Sequence, residues 1–367
     1  MGPLGPFLRQ LRIRVHIDPH LSLAQRGPLM FRPWLWLPAT WAHKLSPLAL
    51  RLYGRSHPYQ TLTWAPFTWR GLEFHNRLGL AGGVDKNGET VPAWWTLGPG
   101  FVEVGTVTPK PQTANPGKVI DRDRASRALW NRMGFPNDGA DALVKRLKRL
   151  YQPHFTPLLI NLGKNRTTPL PRAAEDYTTL MCKLKEVADI FVINISSPNT
   201  AQLRELHSRE RLGEFLQTLG ETQKALRAEG QSRPLLLKLS PDLSDEDLDN
   251  VLAACTQSEV IDGWVLTNTT LSRPAGSPFP SEGGVSGAPL AALSEALLKK
   301  TLVRLGNTRR GKLIVSCGGV MSAADVRKRI ELGADLVQVY SALIYEGPFF
   351  FRKIAKDIQW QETGKLP

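Results

Sequence analysis

The residues best suited to chemistry lie in the segment Phe191-Val-Ile-Asn-Ile-Ser-Ser-Pro-Asn-Thr200. It opens as a β-branched apolar run, the pattern of a strand buried on both faces, and closes in small hydrogen-bonding residues broken by Pro198. Between Asn194 and Thr200 lie two serines, two asparagines and a threonine, an uncharged set of donors and acceptors that suits a planar, amide-rich ligand. A plain Ser-Pro-Asn-Thr turn has the same composition, so the segment takes its meaning from its neighbours.

Those neighbours repeat the layout. After a hairpin-like stretch from Phe67 to His75, apolar runs fall at Leu78–Ala81, Phe101–Gly105, Leu158–Leu162, Ile190–Ile195, Leu235–Leu239, Gly263–Thr267, Leu313–Cys317 and Leu336–Tyr340. Polar or glycine-rich groups follow nearly every one, as in Ala-Gly-Gly-Val-Asp-Lys (81–86), Asn-Leu-Gly-Lys-Asn (161–165) and Thr-Asn-Thr-Thr (267–270). Amphipathic patterns at Asp141–Leu150, Glu175–Val187, Leu212–Ala228, Leu290–Leu305 and Ala323–Leu332 separate most of the runs, and Ser244-Asp-Glu-Asp-Leu248 reads as a capped helix start. This alternation predicts an α/β fold, a (β/α)8 TIM barrel, with an open doubly wound sheet as the alternative. In a barrel the polar clusters would meet at a single mouth, where such folds keep their chemistry.

Two late glycine groups suit an anion: Gly318-Gly319 after the seventh run and Tyr340-Ser341 after the eighth can offer bare backbone N–H groups. Neither GxxxxGK[ST] nor a strand-following GxGxxG occurs, which points to a phosphate-bearing cofactor rather than ATP or a Rossmann-bound dinucleotide. Lys86 and Lys238 stand at strand ends, where a lysine can bind a carboxylate or steady a developing negative charge; surface solvation is the commoner fate of a lysine.

Composition sets the remaining bounds. With 42% hydrophobic and 22% charged residues, a chain of 367 residues can bury one large core. Cys182, Cys255 and Cys317 lie far apart with no CxxC pair, and the histidines make no ligand pattern, so no disulfide framework and no metal site are expected. The net charge of +14 is scattered, with a local excess near the N-terminus, and admits nucleic acid, an anionic membrane or simple solubility as its reason. No stretch approaches the ~18 apolar residues of a membrane span, and Arg9, Arg12 and Arg14 interrupt any signal-like core. Residues 1–29 read as a loosely held basic extension, with an organellar transit peptide as a lesser option. From Met30 to Gly54, Trp34, Trp36, Trp41 and several leucines crowd into two short helical segments punctuated by Pro33, Pro38 and Pro47, with Arg32, Lys44 and Arg51 among them. That composition fits an interfacial membrane anchor and equally a helical pair packed on the main domain.

In this order and spacing, the segments resemble the dihydroorotate dehydrogenase family, specifically its membrane-associated, quinone-using class. The resemblance runs from about Met30 to Gly347. It is carried by Leu80-Ala-Gly-Gly-Val-Asp-Lys-Asn-Gly-Glu89, Gly105-Thr-Val-Thr-Pro-Lys-Pro-Gln112, Asn131-Arg-Met-Gly-Phe135, Asn161-Leu-Gly-Lys-Asn165, Asn194-Ile-Ser-Ser-Pro-Asn-Thr200 and Thr267-Asn-Thr-Thr270. Departures include Gly82 where alanine is usual, Pro136 after Phe135, Asp121 beside Arg122, and Cys317 before the glycine pair.

The resemblance implies oxidation of dihydroorotate to orotate on FMN, a step of pyrimidine biosynthesis, with electrons passed to a membrane quinone. Ser197 would be the base that removes the C5 proton while the C6 hydride goes to the flavin. A serine where the soluble class has cysteine implies the quinone class, and Thr200 with a water beside Phe135 would relay the proton. Asn131, Asn194, Asn199 and Asn268 would read the pyrimidine edge and Lys86 its carboxylate, with Arg132, Met133, Gly134, Phe135 and Thr269 completing the substrate site. FMN would lie against Ala81, Gly82, Gly83, Thr106, Asn131, Asn161, Asn194, Lys238 and Thr267, its phosphate held by Gly287, Gly318, Gly319, Tyr340 and Ser341. A quinone tunnel would involve Ala42, His43, Arg122 and Tyr340.

The implied division is a basic extension (1–29), a helical pair for quinone and membrane (30–55), and the barrel (56–367). A monomer is expected on the cytoplasmic side of a bacterial inner membrane, or alternatively on the mitochondrial inner membrane, with an anionic membrane surface and no nucleic acid as partner. A dihydrouridine-synthase-like enzyme acting on RNA is the competing reading, weakened because the 194–200 loop lacks that group's cysteine acid. Dihydroorotate oxidation with a non-quinone acceptor is another.

Overall fold

A computed structural model describes residues 32–150, 153–199, 203, 206 and 208–363. The basic extension and Thr200 therefore lie outside the described residues.

The eight runs form eight parallel strands: β1 (Leu78–Asp85), β2 (Val102–Val107), β3 (Leu158–Leu162), β4 (Ile190–Asn194), β5 (Leu235–Leu239), β6 (Gly263–Leu266), β7 (Leu313–Cys317) and β8 (Leu336–Val339). Each pairs with the next, and β8 returns to β1 to close the barrel. Helices between the strands cover its outside, among them Ala173–Leu184, Arg209–Ala228, Asp245–Ser258 and Ala291–Leu305. The (β/α)8 TIM barrel expected from the pattern is the observed fold, and the doubly wound alternative is excluded by ring closure.

Two apolar regions hold the barrel. Outward residues such as Leu158, Ile160, Leu235, Leu237 and Ile314 pack with the helices, while inward Leu159, Val192, Leu236, Val265 and Val315 fill the interior. A hairpin of Phe67–Trp69 with Leu72–Phe74 stoppers the lower end. There Phe74 meets the Phe101 ring edge-to-face at 5.8 Å, and Trp69 Nε1 donates to the Gly311 carbonyl at 3.0 Å. With the bottom closed, the strands' C-terminal ends become the accessible face.

Two elements differ from expectation. The helical pair is one 3-10 turn (Pro33–Leu35) and one helix, α1 (Ala39–Ser56), which continues through Pro47. Proline deprives the His43 carbonyl of its helical N–H partner, and the Ser46 hydroxyl donates to that carbonyl instead at 3.1 Å. Beyond the barrel, a side sheet of Ile120–Asp123, Ala128–Asn131 and Gly284–Gly287 stands over one edge of the mouth. Its central strand takes its outer neighbour from a segment about 150 residues later, Gly284 opposite Asn131.

Gly263, at the start of β6, tests the closeness of the strands. A Cβ there would lie 2.1 Å from the Leu313 carbonyl oxygen. Gly263→Ala should cost about 2–3 kcal/mol through forced backbone displacement and lower the thermal midpoint by about 3–4 °C. An unchanged midpoint in differential scanning calorimetry would show that β6 and β7 are less tightly opposed.

Candidate active site

Successive side chains in a strand point to opposite faces, so inward positions recur every second residue. On β3 the inward pair is Leu159 then Asn161; β4 carries Val192 then Asn194, β5 Leu236 then Lys238, and β8 Leu336 then Gln338. The lower members are apolar and fill the barrel, whereas the upper ones are polar and line a cavity with roughly 1020 Å³ of empty space, part of it open to solvent. That size suits a nucleotide-like ligand with a second small ring.

Most of the expected residues face this cavity. Ala81, Gly82, Gly83 and Lys86 come from the end of β1 and the turn beyond it; Thr106, Asn161, Asn194 and Ser197 continue the wall. Lys238, Thr267, Asn268 and Thr269 follow, then Gly287, Gly318, Gly319, Tyr340 and Ser341. The side sheet and the segment after it contribute Asn131, Met133, Gly134 and Phe135, and the loop after β4 contributes Asn199. Arg132 turns elsewhere: its guanidinium donates to Glu282 and to the Pro116 carbonyl, each at 2.9 Å.

The glycine groups are where backbone must come close. Gly318 and Gly319 hold positive φ of 115° and 73°, and a Cβ on Gly319 would stand 2.2 Å from Ala291 Cα. Side chains here would push away the segment that packs behind the cavity. Ser286 and Ser341 hydroxyls are joined at 2.9 Å beside them. Small residues and hydroxyls therefore gather at the ends of the last two strands, the place where barrels commonly bind an anion.

Two lysines have opposite electrostatic environments. Lys238 is buried, which by itself disfavours its charge, but the Glu103 carboxylate at 3.5 Å overrides that and holds the ammonium protonated. Lys86 donates to the Gly83 carbonyl at 2.7 Å; burial brings it down to about 8, against a smaller opposing pull from Asp85. His43 on α1 is lowered to about 4, first by burial and then by the Lys86 charge, so α1 reaches the same electrostatic neighbourhood.

At the rim, Asn199 Nδ2 donates to Asn131 Oδ1 at 3.0 Å, and the Ser197 hydroxyl accepts from Asn199 N–H at 3.2 Å. Asn199 Oδ1, Thr269 Oγ1 and Gln338 Oε1 are buried without a hydrogen-bond partner. All three residues line the cavity, although the atoms themselves are closed off from water and Thr269 Oγ1 is turned towards Gly284.

The residues expected at a tunnel surround the junction of α1 with the barrel. Arg122 donates to the carbonyls of Trp34 and Leu35 at 3.1 and 2.8 Å and to that of Leu37, fastening the N-terminal turn to the side sheet. Its neighbour Asp121 pairs instead with Lys118 at 2.6 Å. Ala39, Val119, Tyr340 and Ile344 pack with Met133 and Leu129 in one apolar cluster between α1 and the cavity. Ala42 and His43 are half-buried on the same helix. Among the described residues no group of acidic, cysteine or histidine side chains could hold a metal ion.

Glu103 and Gln338 were not singled out from the sequence. Both sit within runs read as apolar, and the available signal was a polar residue at an inward position of a buried strand.

A closed barrel whose strand ends gather glycine turns, a buried lysine and an amide-lined slot at one mouth has the layout of a (β/α)8-barrel enzyme. Residues 66–361 match the family model for dihydroorotate dehydrogenase, and the chain belongs to that family. Dihydroorotate dehydrogenase (quinone) from Stenotrophomonas maltophilia is 43% identical over 326 residues, covering 86% of this chain and 92% of its own. The protein of the same name from Thermus thermophilus is 45% identical over 287 residues, covering 77% and 79%. A crystal structure of DHODH from Eimeria tenella in complex with ferulenol superposes with a TM-score of 0.77 at 32% identity, covering 88% of this chain and 92% of that one.

Because burial brings Lys86 down to about 8, it is half charged near that pH, gains its full charge over about the next two pH units below and loses it above. A ring carboxylate bound through it should lose affinity about tenfold per pH unit above 8. Orotate titrations from about pH 6.5 to 9.5 would check this, and a flat affinity profile would remove Lys86 as the carboxylate partner.

Proposed function

We propose that the chain oxidises (S)-dihydroorotate to orotate on bound FMN and passes the electrons to a membrane quinone. The observation that carries this reading is the convergence of Lys86, Asn131, Ser197 and Asn268 on one cavity although they lie far apart in sequence. Relatives that bear the quinone-dependent name over most of their length support the acceptor.

The residues fit the cofactor. The glycine cradle at Gly287, Gly318 and Gly319, where a Cβ would collide with its neighbours, suits a phosphate, and the amides and hydroxyls of the lining suit the ring. When bound, FMN supplies a hydride acceptor that can be reoxidised by a second substrate. Lys238, kept charged by Glu103, favours negative charge on its neighbour in the cavity. Thr106 and Thr267, from opposite walls of the mouth, would hold the ring, with Asn161 acting through its bonds to Thr106 and Asn194, while Tyr340 and Ser341 would close over the phosphate end.

For the substrate, Asn131, Asn194, Asn199 and Asn268 provide amides for a ring of alternating N–H and C=O groups, and Lys86 provides the counter-charge to its carboxylate. Met133, Gly134 and Phe135 would cover the ring, with Thr269 beside them on the cavity wall. Ser197 takes the C5 proton as general base. A serine hydroxyl needs its own proton carried away, and Thr200 with a water beside Phe135 is the proposed route.

The acceptor side rests on α1. None of its residues is buried, and Trp41, Leu45, Leu48 and Leu52 form one stripe at helical spacing, with Trp41 62% exposed. Lys44, Arg51 and Arg55 flank the stripe. Among the described residues no helix is long and apolar enough to cross a membrane. Such a helix is suited to lying in an anionic bilayer surface, where quinone would enter between Ala42, His43, Arg122 and Tyr340. The whole then works as a peripheral protein of the bacterial inner membrane or its mitochondrial counterpart.

Ser197→Ala should keep FMN bound and slow flavin reduction by dihydroorotate about 100-fold or more; stopped-flow reduction at the wild-type rate would remove Ser197 as base. Trp41→Glu combined with Leu48→Glu should abolish sedimentation with anionic vesicles while leaving flavin reduction unchanged. Retained vesicle binding would refute the membrane role of α1.

A further inference from the structure

We propose that Glu103 is a positioning residue that fixes which end of each amide faces the ring slot. The inference rests on the reading above, that the slot takes a flavin and a pyrimidine. Glu103 is fully buried on β2, below the cavity rather than on its wall.

Its carboxylate oxygens accept from Asn161 Nδ2 at 2.6 Å, from Gln338 Nε2 at 2.5 Å and from Lys238 Nζ at 3.5 Å. An ionised carboxylate can only accept hydrogen bonds, so both amides are obliged to turn their NH₂ groups towards it. An amide's two ends are nearly the same size. Packing alone leaves the two orientations almost equal, and the charge decides between them.

The consequence travels outward. With its NH₂ committed, Asn161 aims Oδ1 at Thr106 Oγ1 and Asn194 Nδ2, which donate at 2.5 and 3.1 Å. Asn194 has then committed its own NH₂, and its Oδ1 accepts from Ser196 Oγ and Asn268 Nδ2, each at 3.3 Å. Asn268 in turn points Oδ1 at Thr269 N–H, at 2.8 Å. One carboxylate thus orients three asparagines in series, ending at two residues of the proposed substrate site. On the other branch Gln338 commits its NH₂ to the carboxylate and leaves Oε1 without a partner. Gly82 gives the carboxylate its room, since a Cβ there would stand 2.2 Å from Glu103 Oε1.

The test uses the full chain loaded with FMN and reads orotate affinity from the change in flavin absorbance. Glu103→Gln keeps the shape but lets either end of the amide face Asn161, and orotate affinity should fall about tenfold or more. Adding Asn161→Asp moves the acceptor-only group one step along the series. The new carboxylate can accept from the altered residue 103 and again forces Asn194 to donate, so affinity should return to within about threefold of wild type.

A single variant that binds orotate like the wild type overturns the proposal. So does a double variant no better than the single one, the result expected if Glu103 serves only packing. Should the single variant fail to load FMN, the double variant decides alone: loading with near-normal orotate affinity supports the proposal, and failure to load overturns it. A wild-type chain that itself takes up neither FMN nor orotate would instead locate the error in the functional reading.

Discussion

A carboxylate sealed from water is the constraint around which this barrel mouth is arranged. Glu103 has no exposed surface and sits among three donors, one of them the Lys238 ammonium. Losing the Lys238 ammonium would leave a buried charge without its counter-charge, a cost of several kcal/mol in general. Losing either amide would remove a hydrogen bond to a charged group, about 1.5–3 kcal/mol. The neighbouring positions are therefore restricted to groups that can donate, and those groups then limit what the next layer can present to a ligand. Chemistry at the rim is prepared one layer beneath it.

The barrel supplies the geometry for this through strand alternation. Apolar inward residues below and polar ones above come from the same strands, two positions apart, so the layer that stabilises the fold and the layer that lines the cavity are built together. The lower layer is sealed by the Phe67–Trp69 and Leu72–Phe74 hairpin. The polar layer is largely hydrogen-bonded within the protein, and the residues that carry its unpaired atoms, Gln338, Asn199 and Thr269, line the cavity. At the other side of the mouth, α1 joins this polar interior to an apolar, exposed stripe, with His43 kept neutral by burial and by Lys86 between the two.

Much of this was legible from residue order. Leucine- and valine-rich runs bounded by glycine or polar groups located all eight barrel strands within a few residues, and the strand-end clusters indicated a shared mouth. Local pattern could not reveal the side sheet, because Ile120–Asp123 and Gly284–Gly287 are short, partly polar, and held by pairing between distant segments. Pro47 suggested a broken or newly started helix, yet the Ser46 hydroxyl satisfies the freed carbonyl and the helix continues. Glu103 and Gln338 were hidden for a different reason: each lies inside an apolar run, and only the inward register shows them beside Lys238 and Asn161. Arg132, adjacent in sequence to Asn131, is directed to Glu282 because consecutive residues leave a strand on opposite faces.

The most direct measurement is sequential anaerobic mixing of the purified chain, first with dihydroorotate and then with a quinone, followed at the flavin absorbance bands. The account predicts that dihydroorotate bleaches the bands with release of orotate and that the quinone restores them within the turnover time, while fumarate and NAD leave them bleached. Absence of a flavin signal, bands unchanged by dihydroorotate, or restoration by NAD or fumarate but not by quinone would contradict it.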